Sequence, residues 1–75
     1  MSWFGRPDVS EIAVGQRFAS TQRRTMMWEV VDVSQYGDEP IPHVRLARVG
    51  APHDTKTVSA SVLIDRRYFR YVSPE

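Results

Sequence analysis

Cysteine is absent from this 75-residue chain, which excludes a disulfide framework and the thiolate zinc sites that commonly staple small domains. Histidine is nearly absent too. His43 and His53 stand ten positions apart with no third ligand at a zinc-like spacing, so no metal or other cofactor is expected. Glycine is too sparse for a phosphate-cradling loop, and none of the serines sits in a Gly-x-Ser-x-Gly turn, which removes the nucleotide-binding and nucleophile-elbow signatures. Long apolar runs are missing as well: stretches such as Ile12-Ala13-Val14 and Val62-Leu63-Ile64 reach three residues, against roughly 20 for a bilayer span. Residues 1–8 lack the apolar core of a signal peptide, so a cytoplasmic protein without membrane contact is the expectation.

What remains is a pattern of short apolar runs punctuated by Gly and Pro, with no sustained helical period. Strand-length runs between turn residues predict one small all-β domain. A chain of this size buries only about 60 to 65% of the surface its unfolded form exposes. An edge-rich sheet of this kind also offers a route to a homodimer, since pairing exposed edges satisfies their backbone groups. Net charge is +1, with nine arginines and the single Lys56 as the basic residues. A coding bias toward arginine explains that ratio, and any nucleic-acid site on so neutral a chain would be a local patch.

Residues 1–14 read as an approach segment and residues 15–73 as the domain. In the approach, Asp8-Val9-Ser10-Glu11 has the spacing of a capping box and predicts one helical turn ending by Gly15, although a loop of this composition fits equally. Gln16 to Ser20 reads as a first strand anchored by Phe18. Met26 to Ser34 is the second and carries the strongest β signal, combining Trp28, Val30, Val31 and Val33. A strict two-residue period splits these four between faces, so a bulge at Val30-Val31 is expected to turn all four inward and Glu29 and Asp32 outward. Tyr36 to Pro42 is a loop, His43 to Val49 the third strand, Gly50 to Asp54 a turn and Thr55 to Ser59 the fourth strand. Ala60 to Ile64 is expected as a 3₁₀ turn, followed by a fifth strand from Arg67 to Val72.

Val14-Gly15-Gln16-Arg17-Phe18, then Trp28-Glu29-Val30-Val31-Asp32-Val33, then the closing stretch from Leu63 to Val72 resemble the layout of small bacterial SH3-like barrel proteins, KOW and Tudor-type domains among them. The resemblance spans about residues 12 to 72. It implies a five-stranded SH3-like barrel with a short 3₁₀ turn before the last strand, and a binding role rather than catalysis. It carries no functional residue across, and an OB-type barrel is the structural rival.

Trp28, Phe18 and Phe69 are expected in the core. Trp3 and Phe4 either cap one end of the barrel or form a contact patch, and Tyr36, in a loop rimmed by prolines, suits a recognition groove. Glu29 and Asp32 are the nearest approach to a catalytic carboxylate pair, and solvated strand positions explain both. The expected function is therefore a non-enzymatic module for a protein partner, bound through Tyr36, Arg23, Arg24, Trp3 and Phe4, with aromatics supplying area and arginines pairing with carboxylates. The alternative is RNA or single-stranded DNA held by Arg45, Arg48, Arg67, Tyr68 and Arg70, should these converge on one face.

Overall fold

A computed structural model of the chain describes residues 7–23, 26–35 and 37–73. Trp3, Phe4, Arg24 and Tyr36 lie outside these described residues. A 3₁₀ turn over Val9–Glu11 opens the described chain, followed by β1 (Arg17–Ser20), β2 (Met27–Ser34), β3 (His43–Arg48), β4 (Ala51–Ser59), a helical turn α1 (Ala60–Leu63) and β5 (Phe69–Ser73). The opening turn forms for the reason its spacing gives: the Glu11 carboxylate reaches back to accept the Asp8 backbone N–H at 2.8 Å, satisfying a donor that has no partner within the turn. It ends at Glu11, well before Gly15, and Ile12 then drops into the core at 8% exposure. The approach segment thus contributes to the domain's interior.

The five strands make one antiparallel sheet in the order β4-β3-β2-β1-β5. Its inner face buries Phe18, Trp28, Val30, Val44 and Leu46 together with Leu63 of α1 and Phe69 of β5. The expected closed barrel is not formed, because β4 and β5 remain separate edges with no ladder between them. Two residues of β4 explain why its free edge stays unpaired: Pro52 lacks a backbone N–H, and Lys56 points inward. Lys56 pairs in register with buried Leu46 and therefore projects from the same face. Its ammonium lies 4.4 Å from the Trp28 ring centroid and 5.1 Å from that of Phe69. A side-chain contact thus joins residues of the two edges where hydrogen bonds do not.

The bulge in β2 is present, and its outcome differs from expectation. Register shifts between Val30 and Asp32, so Val31 is the extra residue. It stays 38% exposed while Trp28 and Val30 are buried and Val33 packs against the core. A bulged residue loses its place in the alternation, so three of the four apolar side chains turn inward and Val31 does not. The turn expected at Gly50 to Asp54 is also shorter. Gly50, at φ 92°, takes a left-handed conformation open to glycine. β4 then begins at Ala51, and residues 52–54 are absorbed as an irregularity where Ala47 pairs with Thr55 but Arg48 with Ala51.

Before the last strand the expected 3₁₀ turn is instead α-helical. Ser59 Oγ accepts the Val62 N–H at 3.3 Å and the Ile64 N–H donates to the Ala60 carbonyl at 3.2 Å, an i to i−4 bond. Ala60 and Leu63, three positions apart, lie on one side of this turn and are both buried. Residues 66–68 form a turn rather than the start of β5. The Asp65 carbonyl accepts from the N–H groups of Tyr68 and Phe69, and the Asp65 carboxylate accepts the Arg67 N–H at 2.9 Å.

Candidate binding surfaces

The β1–β4 meander sends alternate loops to opposite ends of the sheet, the stretch from α1 to β5 crosses back to the β1–β2 end, and together these separate charge. One end holds the start of β2, where Trp28 pairs with Arg48, Arg48 with Ala51, and Ser20 with Phe69. Arg23, Arg48, Arg66, Arg67 and Arg70 gather there, with the ammonium of Lys56 reaching in; Asp54 and Asp65 are the described carboxylates among them. The other end holds the close of β2, where Ser34 pairs with His43. It carries Asp8, Glu11, Asp32, Asp38 and Glu39, with Arg45 beside Asp32 in register. The eight residues of β2 set these ends roughly 23 Å apart at about 3.3 Å per residue.

This separation decides which expected site residues meet. Arg23 lies in the β1–β2 connection, whereas Gln35 and Gly37, the described neighbours of Tyr36, lie in the β2–β3 connection at the opposite end. The structure therefore does not bring Arg23 to the loop that bears Tyr36. Arg45 and Arg48 also part. Arg48 shares the inner face with its register partner Trp28, while Arg45, displaced by three positions, projects from the outer face. Arg48, Arg67, Tyr68 and Arg70 do share an end, and Arg45 does not; even there Arg48 projects from the inner face and Arg70, between the inward Phe69 and Tyr71, from the outer, so the five do not converge on one face.

Charges near the middle of the outer face are largely spoken for. Glu29 accepts from Arg17 Nε at 3.2 Å, and Asp32 accepts from Ser34 Oγ at 2.8 Å. The two carboxylates each hold their own partner. At the basic end, Arg48 lies 3.7 Å from Asp54. Arg67 donates to both oxygens of Asp65, the shortest bond being 2.7 Å. These hydrogen bonds, and then the carboxylate charge, hold the Arg67 guanidinium above its ordinary pKa range. The same guanidinium sits 5.5 Å from the centroid of Tyr68, which is 40% exposed. Thr21 ties this turn to the β1–β2 connection: its N–H donates to the Tyr68 carbonyl at 3.0 Å and its Oγ1 to the Arg67 carbonyl at 2.7 Å.

Among the described residues, grooves indent both ends of the surface. At the acidic end a groove of about 330 Å³ runs between the 3₁₀ turn and the β2–β3 connection, walled by Val9, Ile12, Val33, Pro40 and Pro42 with Ser10, Ser34 and Gln35. Across Pro40 a second, of about 220 Å³, is lined by Glu39, Ile41, His43, Ser59 and Ser61. Ile41 stands 39% exposed there, and His43 Nδ1 lies 3.6 Å from a Glu39 oxygen. At the basic end a groove of about 370 Å³ is bounded by Ala19, Ser20, Thr21 and Arg70. The groove residues from the 3₁₀ turn and Val33, and the position of Lys56, were not singled out from the sequence. Their signal is register, which one strand's pattern does not contain.

No protein family matches this chain, and no curated protein or solved structure matches it.

Proposed function

We propose that the chain is a non-enzymatic binding module, SH3-like in its arrangement of strands, that docks an extended basic segment of a protein partner at its acidic end. The SH3-like reading is supported by the β4-β3-β2-β1-β5 order, the bend at Val31 and the helical turn just before β5. A cytoplasmic setting belongs to the same reading. The observation that carries the function is the pair of adjoining grooves that share Pro40. Their walls combine proline and aliphatic side chains with polar ones, and the prolines preform them, which lowers the ordering cost on the domain's side. The surrounding acids, Asp8, Glu11, Asp32, Asp38 and Glu39, outnumber Arg45 and give a net negative field that selects a cationic ligand and speeds its encounter.

The test is selection of a random dodecapeptide library on the immobilised domain, followed by affinity measurement on the doubly charge-reversed Asp38→Lys, Glu39→Lys variant. Peptides enriched in Arg or Lys that bind the parent and lose at least tenfold in affinity on the variant are expected. Failure to enrich any peptide, or equal binding by the variant, refutes this assignment.

A further inference from the structure

We propose that the basic end is a second, independent site, one for single-stranded nucleic acid. It does not rest on the peptide reading, since it uses other residues at the far end of the sheet. Three exposed arginines, Arg23, Arg66 and Arg70, form no ion pair among the described residues. Arg70 borders the 370 Å³ groove together with Ser20, whose hydroxyl accepts the Arg23 backbone N–H, while the Thr21 hydroxyl is taken up by the Arg67 carbonyl. A guanidinium fork with a neighbouring hydroxyl suits phosphate oxygens. Two residues before Arg70, Tyr68 offers an exposed ring backed by the Arg67 guanidinium. Asp65 and Thr21 hold the backbone of that turn in place, so the ring is carried on a tied turn. Aromatic faces beside a cationic track are how single strands are held, because every base presents a π-face. An acidic peptide would use the arginines but leave the Tyr68–Arg67 stack without a role, and a duplex keeps its bases out of reach of that ring. The whole-chain charge of +1 conceals this site, because the opposite end cancels it.

The experiment is fluorescence anisotropy of a labelled mixed-sequence 12-nucleotide single strand titrated with the full chain at about 50 and 200 mM salt. Three phosphate contacts give a slope near −2 in log K against log salt, so affinity is expected to fall roughly 20-fold over this range. Tyr68→Ala is expected to weaken binding roughly 5- to 150-fold, the range of one base–aromatic stack, with Tyr68→Phe close to the parent. Arg70→Gln lowers affinity and flattens the salt slope, while Arg45→Gln, at the other end, leaves both unchanged. The proposal is overturned by no binding at 50 mM salt, by equal losses for Arg45→Gln and Arg70→Gln, or by duplex binding as tight as single-strand binding. It is likewise overturned if polyglutamate displaces the strand at matched charge, which would make the surface a site for acidic protein. The Asp38, Glu39 charge reversal removes peptide binding without removing oligonucleotide binding, so the two assignments fail separately.

Discussion

Removing the charge of Lys56 while keeping a polar side chain, by Lys56→Gln, isolates the contact that links the two open edges of the sheet. A cation over an aromatic face stabilises by about 0.5 to 1 kcal/mol where water has access and more where it is excluded. Lys56 is an exposed residue lying over two rings, and the nearer, at 4.4 Å, is the 4%-exposed Trp28. A loss of about 1 kcal/mol follows. For a domain of this size that lowers Tm by roughly 4 to 8 °C, a large share of a total stability near 4 to 11 kcal/mol. Lys56→Arg keeps a cation that stacks on aromatic rings and should retain most of the stability. Thermal melts followed by far-UV circular dichroism measure both. Because Lys56 is the only lysine, its side-chain ε-methylene resonance is identified in a proton–carbon correlation spectrum, and ring currents from Trp28 and Phe69 should move its protons upfield. A glutamine variant melting within 1 °C of the parent, or a methylene resonance at the position of a free lysine, would refute the reasoning.

Two further outcomes test the packing that holds the surfaces in place. Leu63→Ala empties a fully buried position that α1 brings to the core, and denaturant melts should show a loss of about 2 to 5 kcal/mol, enough to leave a domain this small partly unfolded. Val30→Thr and Val31→Thr read out the bulge: the first buries a hydroxyl and should cost about 1 to 3 kcal/mol, the second lies at an exposed position and should stay within about 0.5 kcal/mol. Equal costs at the two positions would place the extra residue elsewhere.

The elements legible in the sequence were those written in local chemistry. Asp8 and Glu11 announce a helical turn by their spacing, and the 3₁₀ turn is there. The conflict of faces between Trp28 and Val33 announces a bulge, and register shifts at that point. What failed depended on partners distant in sequence. Which of Val30 and Val31 leaves the alternation is decided by their pairing with β3. The extent of β4 depends on how Pro52 to Asp54 accommodate opposite Ala47 and Arg48, which no turn preference of Gly50 and Pro52 reveals. Closure into a barrel fails for a similar reason, because it is a property of two edges that are ten residues apart in the chain, Ser59 and Phe69.

The candidate sites were illegible for a different reason, and net charge is its source. A total of +1 argues against a strong field only if the charges are mixed in space. Along this chain they are grouped instead. After Arg6 come Asp8 and Glu11, then Arg17, Arg23 and Arg24, then Glu29 to Glu39, then Arg45 and Arg48; Asp54, Lys56 and Asp65 lead to the run from Arg66 to Arg70, and Glu75 closes the series. In the β1–β4 meander successive connections fall at alternate ends, and the stretch after α1 crosses back to set Phe69 beside Ser20, so that Arg66 to Arg70 join Arg23 and charge of one sign adds at each end rather than cancelling. The sign pattern and the hairpin order are each visible along the chain. Only their product separates an acidic end with proline-walled grooves from a basic end with an exposed tyrosine, and two weak signals thereby define opposite fields on a nearly neutral domain.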